Sequence, residues 1–261
     1  MTVAIGLVCC DGALVAADSM ATDPMTAHAI QKVHTLDSCP IVWTAAGSVY
    51  VVEEVEIKLG DFTKAHGELK QEPVCLCVDS AVKLRERLKA AILPTMQACC
   101  QGALCATPFE AGAIPKDLET QFLVLGWVNG KPMFLEFDEI GQVNSHLDSG
   151  FYAIGLVGPF AMVAQGLMAH YFRKPLPLNQ GKLVAYRTIS TVCEIAPSGV
   201  GPPVRMAVVD ANGAQVLGED EISEIETGVE RWKTLEAETL TMGAVDAKKE
   251  ARGDLPTLGQ S

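Results

Sequence analysis

Residues 2–18, TVAIGLVCCDGALVAAD, decide the fold. Two apolar runs flank the dipeptide Asp11-Gly12, which is typical of tight turns between antiparallel strands. We therefore expect strands at 2–10 and 13–18, joined at Asp11-Gly12. Because both runs are apolar at nearly every position, the hairpin is expected to be buried.

This hairpin carries a hydroxyl residue at its start and an acid at its end. A two-residue turn at Asp11-Gly12 would set Asp18 opposite Ile5. Thr2 would then lie ~10 Å further along its strand and on the other face of the sheet. The hairpin pattern alone therefore does not bring Thr2 and Asp18 together.

Beyond the hairpin, strands come in pairs and helices come in pairs, which favours antiparallel sheets over a doubly wound parallel one. Further strands are expected at 32–36 and 41–46, on both sides of Asn129-Gly130, at 151–155, and on both sides of Asn212-Gly213. Helices are expected at 49–59, 78–93, 159–172, 180–195 and 219–240, with a loop or insertion at 99–119. Pro94 is expected to kink or end the second helix. This order predicts an α+β fold, a four-layer α/β/β/α sandwich of two antiparallel sheets flanked by helix pairs.

The chain of 261 residues is long enough for one large domain. We expect this domain at 1–240, followed by a charged, flexible tail at 241–261. The formal net charge of −12 argues against nucleic acid and against an anionic membrane surface as partners. Residues 2–10 lack the basic leader of a secretory signal, so a cytoplasmic location is expected.

Nine cysteines are present, without the paired C-x-x-C motifs of zinc sites. The favoured interpretation is reduced, buried thiols in a cytosolic protein. A metal held by Cys99, Cys100 and Cys105 is a second possibility, although the sequence offers no evident fourth ligand nearby.

The position of Thr2 suggests a specific chemistry. Removal of Met1 would give this residue a free α-amine beside its own hydroxyl. An α-amine has an ordinary pKa of ~7.7–8.0, so it can act as the base for that hydroxyl at neutral pH. Such a site requires no histidine. Taken singly, each position also has a simpler interpretation: Asp18 as a turn residue, and Lys32 as an exposed lysine.

Five stretches together resemble the β-type subunits of proteasomes and their bacterial homologues, which are N-terminal-nucleophile hydrolases. Residues 2–22 resemble the family's first hairpin, 31–36 (QKVHTL) its lysine-bearing strand, and 44–48 (TAAGS) its Ala-Gly segment. Weaker similarity extends over 153–162 (AIGLVGPFAM) and 197–210 (PSGVGPPVRMAVVD). The family's four-layer fold agrees with the order of elements expected above.

The resemblance implies a role for five residues. Thr2 would be the nucleophile and, through its amine, the proton acceptor. Lys32 would lower the pKa of the hydroxyl, and Asp18 would hold Lys32 protonated and oriented. The backbone N–H of Gly47 would stabilise the oxyanion, and Ser198 matches an auxiliary serine. The implied reaction is hydrolysis of peptide bonds with no metal and no cofactor.

The resemblance also implies an assembly and partners. These are homo-oligomeric rings of six or seven subunits, stacked around an inner chamber, with unfolded polypeptides as substrates and an ATP-driven unfoldase as a possible partner. Two alternatives stay open: an amidase of the same superfamily that acts on small amides, and a ring-forming structural or regulatory homologue with weak or no catalysis. The second is favoured by Leu156 and Ile195, which stand where the family often has a serine and an acid.

Overall fold

A computed structural model describes residues 2–22, 27–36, 39–67, 78–106, 118–155, 158–196 and 200–252. The strands are β1 (Ala4–Val8), β2 (Gly12–Ala17), β3 (Met20–Thr22), β4 (Ala27–Ala29), β5 (Val33–Thr35), β6 (Ile41–Gly47), β7 (Thr120–Val128), β8 (Lys131–Phe137), β9 (Val143–Ser145), β10 (Phe151–Ile154), β11 (Arg205–Asp210) and β12 (Gly213–Val216). The helices are α1 (Val49–Gly67), α2 (Val78–Ala106), α3 (Gly158–Tyr171), α4 (Leu178–Ile195) and α5 (Glu219–Arg252).

The strands form two five-stranded sheets and one small hairpin. The first sheet has the order β10-β1-β2-β11-β12, and the second has the order β5-β6-β7-β8-β9. Every pair of neighbouring strands is antiparallel. The small hairpin pairs β3 with β4 in the stretch between Asp18 and Lys32, where no strand was expected.

Three hydrophobic clusters hold the elements together as four layers. One cluster joins the first sheet to α3, α4 and α5, and another joins the second sheet to α1 and α2. The third lies between the two sheets and is rich in alanine and valine. Each strand of the first hairpin therefore buries both faces, as its uninterrupted apolar sequence predicts. The predicted fold class is confirmed, with three helices instead of two on one side.

The register of the first hairpin differs from the expectation. Ala4 pairs with Ala17 and Val8 pairs with Ala13, so Asp18 stands opposite Val3 and not opposite Ile5. The turn residues are Cys10 and Asp11, because the Cys9 N–H donates to the Gly12 carbonyl at 2.8 Å.

The carboxylate of Asp11 contacts the helix layer in this register. It accepts a hydrogen bond from the backbone N–H of Leu178, at the start of α4, at 2.7 Å. An acid in this position satisfies an otherwise unpaired donor at a helix N-terminus. The contact with α4 thus ties the tip of the hairpin to the helix layer, which the local turn pattern does not reveal.

Other predicted turns show one agreement and one shift. The hairpin of β7 and β8 turns at Asn129-Gly130, both with positive φ (53° and 71°), as predicted. The hairpin of β11 and β12 pairs Asp210 with Gly213, so its turn lies one residue before the predicted Asn212-Gly213.

Helix α2 continues where a break was expected. It runs through Pro94 to Ala106, so residues 99–106 are helical and are not part of a loop. The reason is that Leu88, Ile92 and Met96 keep a helical spacing and stay buried against the second sheet. Of the predicted 99–119 loop, residues 107–117 lie outside the described ranges.

Helix α5 extends beyond the predicted domain end at 240, to Arg252. The remainder of the predicted tail lies outside the described residues, and the division of the chain at 240 stays a prediction. None of the helices in the described ranges has the length and apolar character that a membrane span needs.

Candidate active site

Thr2 lies two residues before β1 begins and is half-buried. The register of the first hairpin fixes the position of Thr2 along the sheet, because Val3 stands opposite Asp18 and Thr2 is the residue before Val3. Gly155, which follows β10, packs directly against it: a Cβ at that position would lie 2.7 Å from the Thr2 carbonyl oxygen. The end of β10 thus supports the backbone that carries the hydroxyl.

Asp18 follows β2 and is completely buried. Its Oδ1 accepts a hydrogen bond from the Val3 N–H at 3.0 Å, and its Oδ2 accepts from the N–H groups of Met20 at 3.2 Å and Gly201 at 3.3 Å. Hydrogen bonds to the charged form stabilise a buried carboxylate. The side chain is therefore fixed by backbone groups from three separate segments.

Lys32, immediately before β5, completes the surroundings of that carboxylate. Its Nζ lies 3.1 Å from Oδ1 and 3.0 Å from Oδ2 of Asp18, and it donates to the Met20 carbonyl at 2.7 Å. The side chain is 5% exposed and that of Asp18 is 0% exposed. This is a buried ion pair with several hydrogen bonds, the arrangement in which the attraction best offsets desolvation.

Burial lowers the pKa of the Lys32 ammonium, and the Asp18 carboxylate opposes that shift. The thiol of Cys193, on α4, is close enough to interact electrostatically with both groups. Burial, with the nearby Asp18, raises the pKa of this thiol to about 12. Cys193 therefore stays protonated at neutral pH and is not a competing thiolate nucleophile.

Gly47 ends β6, and its backbone excludes any other residue. Its φ is +144°, and a Cβ there would lie 2.3 Å from the Glu119 carbonyl oxygen and 2.5 Å from the Thr120 Cα. The next residue, Ser48, donates its N–H to Thr120 Oγ1 at 3.2 Å, and α1 begins at Val49. The strand end and the helix start are thus fixed together at Gly47.

One pocket of about 240 Å³ joins these elements. Thr2, Lys32 and Gly47 all line it, and Asp18 lies behind Lys32. Of the five residues that sequence analysis selected, three therefore line one cavity, and a fourth, Asp18, contacts one of the three. The fifth, Ser198, lies outside the described residues, as does Leu156.

Several groups that contact Thr2, Asp18 and Lys32 were not predicted from the sequence. The N–H of Gly201 and both backbone groups of Met20 act through the main chain, so their residue type gives no signal. Gly155 is part of a stretch that resembles the family, but its contact with Thr2 depends on the packing of β10 beside β1. Ile195, at the position of the missing acid, is 58% exposed at the end of α4.

In the part of the chain that the structure describes, no further metal-ligating side chain joins the candidate metal site at Cys99 and Cys100. Cys99 is buried and Cys100 is half-buried, and both are free thiols. The side chain of Cys105 lies outside the described residues. Among the described side chains, no group of three or more His, Cys, Asp or Glu residues is arranged to hold a metal ion.

Comparison with known proteins gives one distant relationship. No protein-family model matches the chain. The chain is similar to a curated protein named proteasome subunit beta from Methanococcus aeolicus, with 29% identity over 108 residues. The match covers 40% of this chain and 46% of that protein, so the chain spans less than half the length of its relative. The matched part of the chain is thus distantly similar to a proteasome β subunit, and the α+β sandwich of the chain is consistent with that similarity.

Proposed function

We propose that this chain is a threonine-type peptidase subunit of a proteasome-like assembly, with Thr2 as its N-terminal nucleophile. The observation that carries the proposal is the position of Thr2 at a pocket that also contains Lys32 and Gly47, with Asp18 held behind. The distant similarity to a proteasome β subunit supports the same reaction class.

The first step requires a free amine on Thr2, so the residue before it must be removed. The hydroxyl oxygen then attacks the carbonyl carbon of a peptide bond, and the α-amine accepts the hydroxyl proton. Collapse of the tetrahedral intermediate breaks the C–N bond, and the same proton goes to the leaving amine. Water hydrolyses the ester on Thr2 in the same way, and the amine again transfers the proton.

Lys32 and Asp18 prepare the hydroxyl for that attack. A positive charge beside the Thr2 oxygen favours the developing alkoxide. The carboxylate of Asp18 stabilises the ammonium of Lys32, and its three backbone donors prevent it from turning away. The ion pair, itself buried, therefore acts as a preorganised electrostatic element of the site.

Gly47 supplies the oxyanion donor in this proposal. Its backbone lines the pocket at the point where β6 ends, and α1 starts two residues later. The positive end of the α1 dipole supports negative charge in this region. A single donor of this kind typically stabilises the transition state by ~2.7–4 kcal/mol.

The proposed assembly is a ring of identical subunits, stacked in pairs around a chamber, and its substrates are unfolded polypeptides. The similarity to a protein that is a proteasome subunit supports an assembly. An ATP-driven unfoldase as a partner belongs to the same proposal.

Two measurements on the wild-type chain and on Thr2→Ala test this function. They are the turnover of fluorogenic peptides and the elution volume on a sizing column. We expect Thr2→Ala to lose turnover and to keep the wild-type elution volume, whereas Thr2→Ser keeps a hydroxyl and part of the activity. Undiminished turnover by Thr2→Ala would exclude Thr2 as the nucleophile. A wild-type chain that cleaves only small amides, as a monomer, would favour the amidase alternative.

A further inference from the structure

The two backbone segments that carry the proposed reaction belong to different sheets. Thr2 leads into β1 of the first sheet, and Gly47 ends β6 of the second sheet. Strand pairing fixes positions only within a sheet. The spacing between the Thr2 hydroxyl and the Gly47 N–H therefore depends on contacts that cross from one sheet to the other.

The ion pair of Asp18 and Lys32 is one such contact. Asp18 follows β2, which is a neighbour of β1 in the first sheet, and Lys32 precedes β5, which is a neighbour of β6 in the second. Their contact at 3.0 Å thus links the sheets one strand away from Thr2 and Gly47. The neighbours of β1 and β6 on the opposite side are β10 and β7.

A glutamine makes the corresponding link between β7 and β10. Gln121 lies on β7, opposite Ala46, which is the residue before Gly47. Its Oε1 accepts a hydrogen bond at 3.2 Å from the N–H of Gly155, just after β10 ends. Gly155 in turn lies against Thr2, because a Cβ at this glycine would be 2.7 Å from the Thr2 carbonyl oxygen. A continuous series of contacts from Gly47 to Thr2 therefore passes through Gln121.

The carboxylate of Glu139 fixes the direction of the Gln121 amide. Nε2 of Gln121 donates to Oε2 of Glu139 at 2.9 Å. A flipped amide would set its NH₂ group against the Gly155 N–H and its oxygen against the carboxylate, so only one orientation satisfies both partners. Glu139 therefore keeps the Gln121 oxygen directed at the end of β10.

The Gly155 N–H needs such a partner because β10 is the edge strand of its sheet. Ala153, two residues earlier, donates its N–H to Oε1 of Gln165 at 2.9 Å. Gln165 lies on α3, in the helix layer that covers the first sheet. The two glutamines thus satisfy similar donors, but of these two bonds only that of Gln121 joins the sheets.

We propose that Gln121 is a positioning residue that sets the spacing between the Thr2 hydroxyl and the Gly47 N–H. The proposal rests on the proposed peptidase function for the roles of Thr2 and Gly47. In that reaction the oxyanion forms between these two groups, so their spacing affects the transition state more than the binding of substrate. Loss of the Gln121 bond should therefore lower kcat and leave KM nearly unchanged.

Crystal structures of two methionine variants test the spacing without any catalysis. Gln121→Met removes the acceptor of the Gly155 N–H at nearly constant side-chain size. Gln165→Met is the matched control, because it removes an acceptor from the same edge of β10. We expect the distance from Thr2 Oγ to the Gly47 nitrogen to change by about 0.5 Å or more in Gln121→Met and to keep its wild-type value in Gln165→Met.

The turnover of one fluorogenic peptide measures the consequence for the reaction. We expect kcat to fall about tenfold or more in Gln121→Met, with little change in KM, and to stay at the wild-type level in Gln165→Met. Circular dichroism verifies that both variants fold.

A reciprocal exchange provides a rescue that a general loss of stability would not show. Gln121→Glu alone sets two carboxylates against each other and should also lower kcat. Gln121→Glu combined with Glu139→Gln restores a donor between the two side chains and keeps an oxygen acceptor for Gly155. We expect this double variant to regain most of the wild-type kcat.

The outcomes separate this proposal from the proposed function. An unchanged distance between Thr2 and Gly47 in Gln121→Met would overturn the positioning, whether or not the wild-type chain cleaves peptides. Equal losses of kcat in the two methionine variants, or no recovery in the reciprocal double variant, would overturn it as well. A changed distance in Gln121→Met, without any turnover by the wild-type chain, would support the positioning and contradict the peptidase.

Discussion

Val3 and Asp18 are joined by two hydrogen bonds at the open end of the first hairpin. The Asp18 N–H donates to the Val3 carbonyl at 3.2 Å, and the Val3 N–H donates to Oδ1 of Asp18 at 3.0 Å. One bond belongs to the main chain and the other uses the carboxylate, so the same residue extends the strand pairing and orients its own side chain. Thr2 is the next residue along, and it reaches the pocket because this end of the hairpin is fixed.

Loss of the Asp18 charge is expected to destabilise the fold strongly. Asp18→Asn leaves the buried Lys32 ammonium without its counterion and sets an amide NH₂ against backbone donors. Breaking a buried pair on one side typically costs ~3–5 kcal/mol. Chemical denaturation of Asp18→Asn, Lys32→Met and the double variant measures this. We expect the double variant to lose clearly less stability than the sum of the two single losses. Additive losses would mean that the two side chains do not act as a pair.

Gly47→Ala is expected to lower the free energy of unfolding by about 3 kcal/mol, because its Cβ would collide with backbone and its φ of +144° is strained for any other residue. The matched control is Gly60→Ala in α1, the helix that follows Gly47. A Cβ at Gly60 would meet nothing within 4 Å. That change should stabilise the chain by ~0.5–1 kcal/mol, since alanine favours a helix. Thermal melts that rank the two variants in the opposite order would contradict the geometry at Gly47.

His34 is expected to titrate below its ordinary pKa of ~6.5. Burial lowers its pKa, so the folded state binds fewer protons than the unfolded state. The stability that depends on His34 is therefore complete above the unfolded pKa and falls as the pH drops below it. NMR titration of the His34 ring protons gives the value directly, and Glu56→Gln should lower it further, because the carboxylate raises it. A pKa above the ordinary value, or one insensitive to Glu56→Gln, would argue against this environment.

Lys32 and Thr2 are expected to act as one catalytic unit. Lys32→Ala should reduce kcat nearly as far as Thr2→Ala, and the double variant should be no worse than either single one. The measurement is kcat on one fluorogenic peptide for all three variants, with circular dichroism to verify folding. Substantial activity in a folded Lys32→Ala variant would mean that another cation fills the role.

The sequence was sufficient for the fold class because its signals are repeated along the chain. The apolar runs of the first hairpin and the alternation of strand pairs with helices predict the sandwich, and the Asn129-Gly130 turn is where its sequence predicts. Helix α2 shows where local signals fail: Pro94 suggests an end, whereas burial of Ile92 and Met96 against the second sheet extends the helix.

The sequence predicted which residues belong to the candidate site, but it did not predict how they are arranged in space. Local rules place the first turn at Asp11-Gly12, which would leave Thr2 three residues beyond the position opposite Asp18. The turn at Cys10-Asp11 brings them to adjacent positions, and the tertiary contact between Asp11 and the start of α4 accompanies that register. The N–H of Gly201 reaches Asp18 from a segment 183 residues away, and no pattern in the sequence reveals such a main-chain contact.

The most direct test of the central claim is the mass of the purified chain before and after treatment with a peptide epoxyketone, which reacts with an N-terminal threonine through both its hydroxyl and its amine. We predict a mature chain that begins at Thr2, one adduct per chain, and fragmentation that places the adduct on Thr2. A chain that retains residues before Thr2 and gains no adduct would contradict the claim that Thr2 is an N-terminal nucleophile.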